Sequence, residues 1–238
     1  MKIKTPTDLE ALILCGGLGT RLRKAVPDRP KALAPVAGRV FLDFLLEELS
    51  SEGIRRFILC TGYGRHQVEE HIQQNHIDRD VEFSPEPHPL GTGGAVSNAL
   101  ERLRGQVFVV ANGDTLCECP VPGLLKAHCD SGALVTMVVS RRYLPGAYGS
   151  VRLGKRNEVL AIEPAHCTGA ELVHAGIMIL GRQAVSRLPS KEQSSLEQDL
   201  LQPLIREGSC NVFEVEAPVL DIGTPERLAF CEEYLRNH

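Results

Sequence analysis

An apolar run that opens directly into a glycine-rich loop is the tightest constraint in this sequence. It reads Leu12-Ile-Leu-Cys-Gly-Gly-Leu-Gly-Thr-Arg-Leu-Arg23 and is completed by Pro30-Lys31. A buried strand that ends in such a loop presents backbone N–H groups to an anion, and small residues let the main chain approach phosphates closely. Arg21 and Lys31 can offset the phosphate charge. The loop is not one of the commoner glycine motifs. A dinucleotide fingerprint needs G-x-G-x-x-G, and after Gly17-Leu-Gly19 the third glycine is replaced by Leu22. A P-loop needs a lysine that follows a glycine and precedes Ser or Thr, and Lys31 satisfies neither condition. The competing reading is a tight strand-to-helix turn with two surface cations. The run predicts a chain that handles a nucleotide from its start.

The 238 residues suit one large domain with a substantial core. A formal net charge of −4 argues against a general nucleic-acid or membrane-surface binder, since either needs an accumulated basic face. Neither terminus carries an apolar stretch long enough for a signal peptide or a membrane span, so a cytoplasmic protein is expected. The eight cysteines are scattered, several of them inside apolar runs such as Phe57-Ile-Leu-Cys60, and read as reduced core thiols. Cys117-Glu-Cys119 is the only close pair and has no partner pair at zinc-finger spacing. The eight histidines form no H-x-x-x-H pattern, so no transition-metal site is expected.

Through residue 140 short apolar runs alternate with amphipathic stretches. Ala11–Cys15, Phe57–Cys60, Val81–Phe83, Val107–Val110 and Ala133–Val139 read as strands. Val40–Ser51, Arg65–Gln74 and Gly93–Arg104 read as helices, the first with Phe41, Leu45 and Leu49 at helical spacing and Gly53 just past its end. This alternation predicts βαβ units and an α/β fold with a mainly parallel sheet between helices. In the second half, Ser150–Leu153, Val159–Ile162 and Ile177–Leu180 are short strand-like pieces that predict an antiparallel addition. Leu196–Arg206 and Pro225–Arg236 read as helices. Ligands are expected beyond the carboxyl ends of the strands.

Gly16-Gly-Leu-Gly-Thr-Arg-Leu22 followed by Pro30-Lys-Ala-Leu-Ala-Pro-Val-Ala-Gly38 resembles the two-part signature of sugar nucleotidyltransferases. Further matches run along nearly the whole chain. The resemblance implies a Rossmann-like, glycosyltransferase-A-like mixed sheet with a small antiparallel addition. It implies a single domain over 1–238, with a nucleotide-binding half to about 140 and a sugar-phosphate-binding half after it. Leu14, Gly16, Gly17, Gly19, Thr20 and Gly113 are placed by it against the nucleotide, and Arg21, Lys31 and Asp114 at the reaction centre.

By the same resemblance the segment Glu86-Pro-His-Pro-Leu-Gly-Thr-Gly-Gly-Ala95 is expected to meet the base. In similar enzymes the L-G-T segment, here Leu90, Gly91 and Thr92, lies against the base. A polar side chain five residues before its first glycine, here Glu86, touches the base edge. A carboxylate can accept two hydrogen bonds from the N1–H and N2–H₂ of guanine, whereas uracil and thymine offer N3–H alone, so guanine is preferred. Val107-Phe-Val-Val-Ala-Asn-Gly-Asp114 and Leu220-Asp-Ile-Gly-Thr-Pro-Glu226 each supply a carboxylate. By resemblance Asp114 and Asp221 jointly hold a divalent metal. Magnesium fits, because it favours one or two carboxylates plus phosphate oxygens and water.

The acceptor positions are also drawn from the resemblance. Tyr148-Gly149 resembles a sugar-contacting Y-G segment, Glu163 the glutamate of an E-K-P segment, and His174-Ala-Gly176 an N-A-G segment. Two departures stand out. Glu163 is followed by Pro164-Ala165, which removes the lysine that would meet the sugar phosphate, and His174 stands where asparagine is usual. Arg141, Arg142 and Lys155 are candidates for the lost charge.

The reaction implied is attack by a sugar 1-phosphate oxygen on the α-phosphorus of a nucleoside triphosphate, GTP by the base argument, with pyrophosphate leaving. The absence of a P-L-T segment after Arg21, together with Leu90-Gly-Thr-Gly-Gly-Ala95 and Ser195-Leu-Glu197, is most similar to the guanylyltransferases of D-glycero-D-manno-heptose 1-phosphate. The alternatives are transfer of a guanylyl, uridylyl or thymidylyl group to another sugar 1-phosphate, and a catalytically silent nucleotide-sugar sensor. Retention of Arg21, Lys31, Asp114 and Asp221 opposes the sensor. A homo-oligomer is compatible with such a chain.

Overall fold

The opening apolar run forms β1 (Glu10–Leu14), with four of its five residues buried. Its neighbours are equally apolar. β2 (Arg56–Thr61) is buried throughout, and β4 (Val107–Asn112) is buried from Phe108 to Ala111. Strands buried on both faces read as continuous hydrophobic runs, as expected of a parallel sheet covered by helices. This computed structural model describes residues 9–17, 19, 21–22, 26–143, 150–155, 157–163, 172–189 and 193–237.

Among the described residues, nine strands make the main sheet. The others are β3 (Asp80–Pro85), β5 (Val135–Ser140), β6 (Ser150–Leu153), β7 (Val159–Glu163), β8 (Val173–Gly181) and β9 (Cys210–Val215). Their order is β3-β2-β1-β4-β8-β5-β9, with β6 joining the start of β8 and β7 pairing with β6. β3, β2, β1 and β4 run parallel. β8 is antiparallel to β4 and to β5, and β9 is parallel to β5. The carboxyl ends of β1, β2, β3 and β4 therefore share one edge of the sheet with the start of β8.

The helices are α1 (Phe41–Ser51), α2 (Arg65–Asn75), α3 (Gly91–Ala99), α4 (Val121–Ser131), α5 (Arg182–Val185), α6 (Gln202–Arg206) and α7 (Pro225–Asn237). Two apolar layers sandwich the sheet. One packs Phe41, Leu45 and Leu49 of α1 under Ile13 and Val109; the other packs Val96 and Ala99 of α3 with Leu12 and Val110. Alternate residues of β1 and β4 thus feed opposite cores, as the period-two geometry of a strand requires. No helix among the described residues is long and apolar enough to cross a membrane.

The α/β reading holds, with three differences. The piece expected at Ile177–Leu180 is the second half of β8, a nine-residue strand paired between β4 and β5; the β6–β7 hairpin is a small antiparallel extension at the start of β8. The helix expected over Leu196–Arg206 begins as a π-helical segment, Leu196–Leu201, before α6. Pro203 has no N–H to donate and its ring would strike the carbonyl of residue 199, so the turn before it widens. Of the described cysteines, Cys129 is exposed rather than a core thiol.

At the amino edge of the sheet Glu10, only 6% exposed at its side chain, is held by three donors. Arg56 Nε lies 2.8 Å from its Oε1, and the amides of Arg104 and Gly105 lie 2.6 and 2.7 Å from its Oε2. Arg56 also reaches Asp80 at 2.8 Å and Glu82 at 2.5 Å. Removing the cation strands a buried carboxylate. Arg56→Ala is expected to destabilise the protein by about 3 kcal/mol in urea unfolding. A loss below about 1 kcal/mol, the value of a surface pair, would show that this cluster contributes little.

Candidate active site

β1 stops where its neighbours can still hold the chain. The amide of Cys15 donates to the Cys60 carbonyl at 2.9 Å, and that of Gly113 to the Leu14 carbonyl at 3.0 Å. Gly16 then passes under Glu86, and a Cβ there would strike Glu86 Oε1. β4 ends in Asn112-Gly113-Asp114 and turns back. Thr115–Leu116 pair antiparallel with Leu220–Asp221, and the Ile222 amide donates to the Asp114 carbonyl at 3.1 Å. This short ribbon brings two carboxylates that are remote in sequence to one place.

The cations complete an alternating row. Lys31 Nζ lies 2.5 Å from Asp114 Oδ2 and 3.9 Å from Asp221 Oδ2, and Arg227 Nη1 lies 2.5 Å from Asp221 Oδ1. The Gly223 amide donates to that same Oδ1 at 2.7 Å. Lys31, Asp221 and Arg227 have side chains 10–13% exposed, and Asp114 33%. Charges this sheltered persist only when paired.

Three adjoining cavities share Asp114. The smallest, about 230 Å³, is lined by Gly17, Gly19, Arg21, Lys31 and Gly113. The second, about 580 Å³, is lined by Gly16, Gly17, Tyr63, Glu86, Gly91, Thr92 and Asn112, and lies in the size range of small-molecule sites. The third, about 440 Å³, carries Arg21, Lys31, Glu163, His174, Asp221 and Arg227. Of the residues singled out in the sequence, Thr20, Tyr148 and Gly149 lie outside the described residues. Leu90 lines none of the three. Its side chain is buried, its amide donates to Glu86 Oε2 at 2.9 Å, and its carbonyl accepts from the Ser194 amide at 3.0 Å. The other candidate nucleotide, metal and sugar residues, Arg141, Arg142 and Lys155 excepted, gather at these three cavities.

Arg141, Arg142 and Lys155 are not among the residues lining the third cavity. Arg141 pairs with Glu214 at 2.7 Å, Arg142 reaches the Glu216 carbonyl at 3.3 Å, and Lys155 is exposed. Sequence reasoning misses Tyr63, Asn112 and Arg227. Asn112 has a signal, since it precedes the Gly-Asp pair on the same strand end. Arg227 has a weaker one, two residues after the Gly-Thr-Pro turn.

Two titrations bear on the chemistry. Burial, with Asp114 adding to it, pushes the Cys15 thiol up to about 12, so it is no nucleophile at neutral pH. Burial lowers His174 to about 4 against the opposing pull of the Ile177 carbonyl, which lies 3.3 Å from Nε2. A neutral imidazole that donates from Nε2 keeps Nδ1 as an acceptor.

A second cluster lies away from the cleft. His71 Nε2 and His76 Nε2 lie 2.7 and 2.6 Å from Asp43 Oδ1, joining α1 to the end of α2. Among the described residues this is the one gathering with metal-ligand geometry, and the histidine spacing gives no sign of it. Arg79 Nε donates to His76 Nδ1 at 3.2 Å, and Asn75 Nδ2 lies 3.3 Å from His71 Nδ1. Both Nδ1 atoms therefore accept, both Nε2 atoms carry the proton, and the group is a hydrogen-bonded clasp. Burial raises the Asp43 carboxyl, but the two imidazole bonds outweigh it and leave the group below its ordinary value.

Residues 10–237 match the family described as Nucleotidyl transferase. The chain is 33% identical over 222 residues to the mannose-1-phosphate guanylyltransferase of Mycobacterium tuberculosis, covering 92% of this chain and 62% of that one. It thus spans less than two thirds of that relative. It is 29% identical over 230 residues to the D-glycero-alpha-D-manno-heptose 1-phosphate guanylyltransferase of Aneurinibacillus thermoaerophilus, covering 97% of this chain and 100% of that one. Among solved structures, HddC from Yersinia pseudotuberculosis complexed with GMP-PN superimposes with a TM-score of 0.86 at 29% identity, over 95% of this chain and 99% of that chain.

His174 yields a prediction with a definite sign. The unfolded chain protonates it near 6.5 and the folded chain near 4, so its contribution is present above pH 6.5 and is lost as pH falls through that window. Between pH 7 and pH 5 the wild type is expected to lose about 1–2 kcal/mol more stability than His174→Asn in urea unfolding. Equal losses would mean that His174 is solvated in the folded state.

Proposed function

We infer the reaction from the family: the chain belongs to the nucleotidyl transferases. We propose that it transfers a guanylyl group from GTP to a sugar 1-phosphate, D-glycero-α-D-manno-heptose 1-phosphate, giving the GDP-sugar and pyrophosphate. The observation that carries this reading is the position of Lys31, which lines the small and the third cavities and whose ammonium meets Asp221 and Asp114, the latter shared by all three cavities.

In the reaction an oxygen of the acceptor phosphate attacks the α-phosphorus of GTP, and the bond to the β-phosphate bridging oxygen breaks. The acceptor is already anionic at neutral pH, so no general base and no covalent nucleophile are required. Arg21 and Lys31 lie over the small cavity and neutralise the triphosphate, and the Gly16–Gly19 backbone lets it approach. Asp114 and Asp221 are the proposed holders of a divalent ion. The fit rests on geometry: one ammonium already meets both carboxylates, so a single cation is within reach of each. Bound there, magnesium would supply Lewis-acid stabilisation of the phosphoryl oxygens.

Base choice rests on Glu86. Its Oε2 already accepts the Leu90 amide, and a carboxylate has about four lone-pair sites, so acceptor capacity remains for guanine N1–H and N2–H₂. His174, Glu163 and Glu197 line the third cavity and are the proposed partners of sugar hydroxyls. Heptose is favoured over mannose because the heptose-phosphate relative matches along its full length.

Pyrophosphate release from a panel of five nucleoside triphosphates and several sugar 1-phosphates tests the reading. GTP with the heptose 1-phosphate is expected to be fastest, and Glu86→Gln to narrow the preference for GTP over UTP. A wild-type preference for UTP or dTTP contradicts the guanine assignment. Asp114→Asn and Asp221→Asn are each expected to lower turnover by roughly 30- to 1000-fold with the fold intact. Full activity in both removes the proposed metal site.

A further inference from the structure

The third cavity poses a charge problem that the reaction must solve. Four carboxylates line it, those of Asp114, Glu163, Glu197 and Asp221. An acceptor phosphate with close to two negative charges has to enter this space. Among the described residues that line it, three are cations, Arg21, Lys31 and Arg227. Arg21 and Lys31 also line the small cavity under the glycine loop, where the triphosphate is placed. Arg227 lines the third cavity and neither of the others.

Arg227 is built into place. It stands in the first turn of α7, its amide 3.4 Å from Thr224 Oγ1, with its side chain 10% exposed and Nη1 2.5 Å from Asp221 Oδ1. Gly223 leaves the room this needs: a Cβ there would come within 3.2 Å of both Arg227 Nη1 and Lys31 Nζ. A guanidinium carries five N–H donors in a planar fork and can serve a carboxylate and a phosphate together, which a lysine does less well.

Resting on the guanylyltransferase reading, we propose that Arg227 binds the phosphate of the acceptor sugar 1-phosphate and sets which anion the third cavity admits. Asp221 orients the guanidinium, and the pair hands one face to the metal side and one to the acceptor. The competing role is positional, with Arg227 acting only through Asp221.

Calorimetry on the full chain separates these. The β,γ-imido analogue of GTP is titrated with magnesium, and D-glycero-α-D-manno-heptose 1-phosphate is then titrated onto the nucleotide-saturated protein. Arg227→Gln is expected to keep nucleotide affinity within about threefold and to weaken the sugar phosphate by about 30-fold or more. Arg227→Lys keeps the charge, guards against a folding defect in the glutamine variant, and is expected to recover part of the loss. Unchanged sugar-phosphate affinity in Arg227→Gln overturns the proposal. Equal weakening of nucleotide and sugar phosphate, with a raised magnesium requirement, also overturns it and assigns Arg227 to holding Asp221. A wild type that binds no nucleotide overturns the guanylyltransferase reading itself, and one that binds nucleotide but no sugar 1-phosphate overturns the acceptor assignment.

Discussion

Two carboxylates facing one another across a sheltered cleft need a cation between them, and in this chain Lys31 supplies it. Asp114 and Asp221 come from the end of β4 and from the chain just before α7, and their two-residue ribbon is short. Lys31, at 2.5 and 3.9 Å, links both to the segment that follows the glycine loop. Without it, Asp114 would lose its ion-pair partner and the two carboxylates would repel one another across the cleft. The opening loop, the β4 end and the chain before α7 therefore meet around the Lys31 ammonium. In the proposed reaction Asp114 and Asp221 would hold a divalent ion there, and the Lys31 ammonium would then be free to meet phosphate.

β1 carries a charged cluster at each end, and the two differ in what they leave open. At the amino end Glu10 is met by Arg56 and two amides, and none of the three cavities reaches them. At the carboxyl end Asp114 keeps a third of its side-chain surface exposed and touches all three. The first arrangement satisfies its charges and stabilises. The second leaves capacity for a ligand, at the sheet edge where open α/β folds bind them. The thiol of Cys15 lies next to this site yet is held protonated by burial, which leaves the chemistry to phosphate oxygens.

Legibility in the sequence follows how local each signal is. β1, β2, β4 and α1 are readable because each is a run of apolar residues at one clear period. α4 is hard to set apart, although Val121, Leu124, Leu125 and His128 follow helical spacing and Gly132 closes it at φ 65°. Its apolar face is short, and Pro122 obscures the start even though the first turn tolerates it. β8 reads shorter than it is because Gly176, at φ 74°, interrupts the apolar run and bends the strand away from β5 between His174 and Met178. At the site, Gly16, Lys31, Asp114 and Glu86 lie in motifs with distinctive spacing. Arg227 and the Asp43 clasp depend on long-range contacts between elements, and no periodicity in one chain segment announces such a contact.

Where the cations stand is tested most directly by a crystal structure with magnesium and a non-hydrolysable GTP analogue. The metal is expected between Asp114 and Asp221, with Lys31 Nζ moved from Asp114 to a phosphate oxygen and the guanine edge against Glu86. A metal bound elsewhere, with Lys31 still paired to Asp114, would contradict the exchange of one cation for another at this position.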